Sequence, residues 1–189
     1  MPPKTKITRD MVSDAAFRIA RQSDWTNINA RNVAKQLNCS TQPVMYHFGT
    51  IEELKEAAYE KADRFHSEYL MNIGNAADPM LEIGLNYIRF SVREPSLFRF
   101  LFQSGYGPHT GFPEIIESPE LKPLLSLMTQ LMEVSAEKAK KIFATLAIFT
   151  HGYACLLANR YMEYDEKTAA EYLTKAYYGA AEAAKEGRE

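Results

Sequence analysis

An all-α chain of about nine helices is predicted by three observations. Apolar residues recur at intervals of three and four in one segment after another. No segment of useful length alternates apolar and polar residues as a strand does, and no internal repeat is present. Cap residues and prolines fall where helices should begin and end. With 189 residues, 46% of them hydrophobic, the chain can bury a core in one or two domains.

Thr8 is placed to cap a first helix reaching about Ser23, with Val12, Ala15, Ala16, Ile19 and Ala20 inward and Asp10 suiting the positive end of the helix dipole. Before it, Pro2, Pro3, Lys4 and Lys6 make a short basic arm. Trp25 follows in a loop and is expected to pack three short helices together. Asn29 caps a second helix over about Ala30–Leu37, with Val33, Ala34 and Leu37 on one face. Ser40 caps a third, in which Pro43 fills the first turn without losing a useful amide. Val44 and Phe48 face inward there, and Thr41, Gln42, Tyr46 and His47 face outward.

A long helix then steps through Ile51, Leu54, Ala58, Ala62, Phe65 and Tyr69. After the turn cluster Gly74 to Pro79, a helix apolar on two sides runs to about Glu94, as expected inside a bundle. Pro95 stops it, and Ser96 is expected to cap a short helix bearing Leu97, Phe98, Phe100, Leu101 and Phe102. A glycine- and proline-rich loop spans Gln103 to Pro113. The stretch from Pro119 to Met132 returns to helix, with Leu121, Leu124, Leu125, Met128 and Leu131 inward. The last two helices cover about Ala136–Met162 and Glu166–Lys185, the second exposing Ala169, Ala176, Ala180 and Ala184.

Net charge is only −2, but it is unevenly spread: residues 1–50 hold seven of the 22 Lys/Arg and three of the 24 Asp/Glu. A basic head on an acidic body suits a protein that meets phosphate at one end. The stretch from Asn29 to Thr50 agrees. A short helix, a tight turn and a second helix with a polar, charge-poor outer face make the helix-turn-helix layout, whose second helix reads base edges in the DNA major groove.

The residues from Asn29 to Leu54 resemble the helix-turn-helix of the tetracycline-repressor (TetR) family of bacterial transcription regulators. Leu37-Asn38-Cys39-Ser40 stands for the family's leucine, glycine, valine and serine, and Tyr46-His47-Phe48 with Glu52-Glu53-Leu54 for the pattern that follows. Met45 stands where the family usually has tyrosine, and Ile51 where it usually has lysine. The segment Ile83–Gln103, centred on Glu94-Pro95-Ser96-Leu97-Phe98-Arg99, also resembles the ligand domain of a branch with a Pro-x-Leu-Phe-Arg motif.

The resemblance implies an N-terminal three-helix head (residues 1–50) that binds DNA and a helical body (51–189) that binds an effector and dimerises. Thr41, Gln42, Pro43, Tyr46 and His47 would face the major groove, with Gln42 suited to adenine and Pro43 or the Thr41 methyl to a thymine methyl. Arg31 would reach a guanine or a phosphate, and Asn29 and Ser40 would hold phosphates. Lys55 lies one turn beyond the missing lysine and is a candidate substitute. Phe65, Tyr69, Tyr87, Phe90, Phe98, Phe102, Phe112 and Phe149 are the candidate lining of a cavity for a small apolar or amphipathic effector. The last two helices are the expected homodimer surface, since a two-fold protein reads a palindromic operator.

No cofactor, metal site or catalytic set is expected. His47, His66, His109 and His151 are scattered without ligand spacing, and Gly105-Tyr106-Gly107 lacks the flanking strand and helix of a phosphate loop. Cys39 and Cys155 form no disulfide framework, which points to a cytoplasmic protein. The run from Ile142 to Asn159 carries no Asp, Glu, Lys or Arg, and is read as a buried interface helix rather than a membrane span. The expected function is transcriptional regulation, most simply repression. The alternatives are a small-molecule binding protein with a vestigial head and a helical protein–protein adaptor.

Overall fold

The computed structural model describes residues 6–107 and 111–186, without the side chains of residues 120, 185 and 186. The first five residues of the basic arm and His109 lie outside the described residues. The described residues form ten α-helices, two short 3-10 turns and no strand. The helices are α1 (Arg9–Gln22), α2 (Ala30–Gln36), α3 (Thr41–His47), α4 (Ile51–Met71), α5 (Pro79–Arg93), α6 (Pro95–Gln103), α7 (Phe112–Ile116), α8 (Lys122–Met132), α9 (Ala136–Ala158) and α10 (Glu166–Glu186). They pack as two units, residues 6–69 with Glu94–Gly107, and Leu70–Arg93 with residues 111–186.

In the first unit, α1 begins where the Thr8 hydroxyl accepts from the Met11 amide at 3.2 Å. Its inner stripe of Val12, Ala15, Ala16, Ile19 and Ala20 is buried, and Val33, Ala34, Val44 and Phe48 complete the core of the three-helix head. Leu54, Ala58 and Ala62 of α4 are buried in the same unit. Lys61 of α4 binds Asp10 at 2.6 Å and Asp14 at 2.7 Å, and its ammonium holds the Asp10 carboxyl below the usual carboxylate range.

Helix α6 returns to α1. Arg21 donates twice to Glu94, at 2.9 and 2.5 Å. Phe98 and Phe100 have no exposed surface, and burial of this kind is worth roughly 1.5–3 kcal/mol per side chain. Trp25 stacks on Phe100 with 6.1 Å between centroids and meets Tyr106 edge-on at 5.6 Å. Glu94, not Ser96, occupies the N-cap of α6, and Pro95 is its first residue, where a missing amide costs nothing. The Ser96 hydroxyl donates instead to the Ser23 carbonyl at 3.0 Å.

In the second unit α5, α9 and α10 pack against one another around Leu85, Ile88, Tyr153, Leu157, Ala169 and Leu173. A second cluster joins Met80 to α8 and α9 through Met128, Met132, Ala139 and Ile142. Arg89 ties α5 to α10, binding Glu82 on its own helix at 2.5 Å and also Glu166.

Three local expectations change here. A five-residue helix, α7, forms from Phe112 inside the expected loop and its flank. Met132 rather than Leu131 faces inward; Leu131 is 53% exposed because α8 is apolar on more than one side. The alanine stripe of α10 turns toward the protein's own core: Ala169 is fully buried, and Ala180 and Ala184 pack on the second cluster.

Helix α9 is long and apolar enough to cross a membrane by length and composition, a test that a packed core helix also passes. One face packs on α5, α8 and α10. The other leaves Thr145, Ile148, Gly152 and Leu156 exposed.

Burial holds the His66 imidazole of α4 down to about 4, from 6.5. Between those values the unfolded chain takes a proton that the native chain refuses. The stability this neutral histidine supports is therefore whole above pH 6.5 and lost progressively as pH falls toward 4. The loss is on the order of 3 kcal/mol. Urea midpoints measured across this range should fall with pH, and His66→Leu should flatten the dependence.

Candidate nucleic-acid interface

The polar surface of the head is built on a tight connection between α2 and α3. Asn29 caps α2 with its side-chain oxygen 2.9 Å from the Asn32 amide. The helix ends as Asn38 turns into the left-handed region at φ 50°, and the Cys39 amide closes on the Ala34 carbonyl at 3.0 Å. Asparagine is among the few side chains that tolerate this conformation, so Asn38 serves where the resemblance has glycine. Ser40 then caps α3 without a side-chain bond to it and is exposed.

Helix α3 has seven residues. Val44 and Phe48 are buried and set its rotation; Thr41, Gln42, Met45 and Tyr46 are exposed. Pro43 is half-buried in the first turn. Tyr46 is 83% exposed and meets the His47 ring edge-on at 5.2 Å.

The C-terminal end of α3 is latched to the residues that open α1. His47 Nε2 lies 2.9 Å from the Ile7 carbonyl, so that nitrogen carries the proton in this contact. Arg9 Nη1 donates to the His47 carbonyl at 2.5 Å, and its guanidinium sits 4.0 Å above the Phe48 ring. On the far side, Thr50 accepts from the Glu53 amide at 3.1 Å and Glu53 accepts from the Gly49 amide at 3.0 Å. This is a capping box displaced by one residue. Together these bonds fix both ends of the α3–α4 corner. Arg9→Ala should cost about 1 kcal/mol. Amide exchange at Phe48 should quicken in that variant while the middle of α1 is unchanged.

Arg31 and Lys35 of α2 are exposed. Asn29 is half-buried, and its amide nitrogen donates to the Asn27 carbonyl at 3.2 Å, so its side chain is engaged within the protein. Lys55 is half-buried with its ammonium 5.8 Å from the Trp25 ring and 5.5 Å from Tyr106. Met45 and Arg9 join the surface without having been expected. Met45 has a signal in sequence, lying one turn after Thr41. Arg9 has none, because its partners are 38 and 39 residues away.

The eight aromatics proposed to line a cavity divide between the two units. Phe65, Tyr69, Phe98 and Phe102 belong to the first, where Phe98 and Phe102 meet at 4.9 Å and Phe65 and Tyr69 at 6.4 Å. Phe65 also packs edge-on to Phe17 and lies beneath Arg21. Tyr87, Phe90, Phe112 and Phe149 belong to the second. There the Tyr87 hydroxyl lies 2.8 Å from His151 Nδ1, whose Nε2 lies 3.4 Å from Cys155 Sγ. Burial pushes the Tyr87 phenol up and the His151 imidazole down, so both are neutral near pH 7. Phe149 stacks on Tyr153 at 6.2 Å, and Phe112 is exposed at the start of α7.

No family model and no curated protein matches the chain. A solved structure does: the chain is similar to a member of the TetR family from Streptomyces coelicolor A3, with a TM-score of 0.56 and 20% identity. The match covers 89% of this chain and 96% of that one. The fold is therefore the all-α TetR-like fold.

Proposed function

We propose that the protein is a homodimeric DNA-binding transcriptional regulator, a repressor released from a palindromic operator by a small apolar or amphipathic effector. The observation that carries this reading is α3. Its outward face is exposed, uncharged and, apart from Met45, polar, and its inward face is fixed by Val44 and Phe48. A helix held this rigidly with its hydrogen-bonding groups in solvent suits insertion into a major groove. Arg31, Lys35 and the hydroxyl of Ser40 supply phosphate contacts beside it. In this reading residues 1–50 bind DNA in the cytoplasm, and 51–189 bind the effector and dimerise.

Two glycines support the homodimer. Gly152 of α9 and Gly179 of α10 sit within helices, where glycine costs about 1 kcal/mol relative to alanine. Neither has a positive φ, and a Cβ added at either would meet nothing within 4 Å among the described residues. Their own fold gives no reason for them, whereas close approach of another helix does. They lie among exposed apolar side chains: Ile148 and Leu156 on α9, Tyr172 and Tyr178 on α10. A second copy covering this face would place two α3 helices on one palindrome.

The effector, held among aromatic side chains of the body, would tilt α4 and change the spacing of the two α3 helices. That spacing must match successive major grooves, about 34–36 Å apart. Footprinting on the intergenic DNA upstream of the protein's own gene tests the reading. A protected palindrome supports it, and an unprotected fragment followed by failure of genome-wide site selection would refute it.

A further inference from the structure

The chemistry of the α3 surface narrows the DNA it can read; this inference rests on the regulator reading above. Thr41 and Met45 are four residues apart, as are Gln42 and Tyr46, so the four exposed side chains form two adjacent ridges. Between Thr41 and His47 there is no Lys, Arg, Asp or Glu. Guanine is read chiefly by arginine or lysine and cytosine by a carboxylate, and α3 offers neither. The exposed cations nearest in sequence, Arg31 and Lys35, are on α2, the helix that crosses the phosphate backbone in this motif. His47 is half-buried and its Nε2 is committed to the Ile7 carbonyl.

What remains is matched to one base pair. The Gln42 amide presents a donor and an acceptor spaced for N6 and N7 of adenine. The Thr41 methyl and the Met45 thioether are apolar tips in an otherwise wet face, suited to the 5-methyl of thymine. We infer that α3 reads A·T pairs, with Gln42 on an adenine and Thr41 and Met45 on thymine methyls. The operator half-site therefore has an A·T core beneath α3, with no guanine required there.

Selection of binding sites from a randomised duplex library by the full chain tests this, followed by single-atom changes in the selected site. Replacing the core adenine by 7-deaza-adenine removes one acceptor, and replacing core thymines by uracil removes only the methyl. Each is expected to weaken binding roughly fivefold or more. Met45→Ala should abolish sensitivity to one uracil replacement, and Gln42→Arg should move the preference at one position from adenine to guanine. Selected cores that require G·C, or uracil replacements without effect, would overturn the inference while leaving a DNA-binding regulator in place. A library from which no site is enriched would remove the regulator reading, and this inference with it.

Discussion

Replacing Gln42 and Tyr46 together by alanine is expected to abolish specific DNA binding and leave the fold intact. Both side chains project from the same face of α3, and Tyr46 is 83% exposed. Surface changes of this kind usually shift stability by less than about 0.5 kcal/mol. Each good base contact is worth roughly 1–3 kcal/mol, so losing two should weaken operator binding by about one to four orders of magnitude. Binding to competitor DNA should change little, because the exposed cations Arg31 and Lys35 remain. Fluorescence anisotropy with specific and competitor duplexes, alongside a thermal melt, reads both effects. Unaltered operator binding by the folded double variant would refute the assignment of this face.

The second large effect is expected at the outer face of α9. Ile148 is 64% exposed in the single chain, so Ile148→Glu should fold as a monomer at little cost. In a dimer the same carboxylate would be taken out of water without a partner, a penalty of several kcal/mol. Sedimentation should then show a monomer for the variant and a dimer for the parent chain. Operator affinity should fall by about two to four orders of magnitude, because the second head no longer binds as part of one molecule. Gly152→Ala should weaken the dimer less, by crowding the helix crossing with one methyl group. A dimer that tolerates Ile148→Glu would place its interface elsewhere.

These expectations depend on features of very different legibility in sequence. α1, α2 and α3 are readable because each has one apolar stripe and a short polar cap. The period that buries Val12, Ala15, Ala16, Val44 and Phe48 leaves one way to turn each helix. The same period places Thr41, Gln42 and Tyr46 outward, and read to its next turn it also places Met45 there. The pattern loses its power in the body. In α8 several faces are apolar, so Leu131 and Met132 compete for the core and only packing decides. In α10 alanine fits a buried helix crossing as well as an exposed one, and the stripe through Ala169 turned inward.

Long-range polar contacts are harder still. Nothing local in sequence pairs Arg21 with Glu94 across 73 residues, or Arg9 with the end of α3. Those contacts bring α6 against α1 and fix the corner that presents Tyr46. α7 is illegible in sequence because a five-residue helix begun by Gly111, Phe112 and Pro113 carries the composition of a loop. Lys55 shows the same limit at the level of one side chain. Its spacing suits a phosphate contact, yet in the folded head its ammonium is drawn over Trp25 and Tyr106.

The most direct test of the account is a salt titration of equilibrium binding to the upstream intergenic fragment, in the presence of excess competitor DNA. A specific complex with two chains per palindrome is expected, with an association constant that falls linearly on logarithmic axes as salt rises. The slope reports several phosphate contacts per complex. Binding to that fragment no tighter than to competitor, or an affinity indifferent to salt, would contradict a regulator that reaches bases through α3 and phosphates through α2.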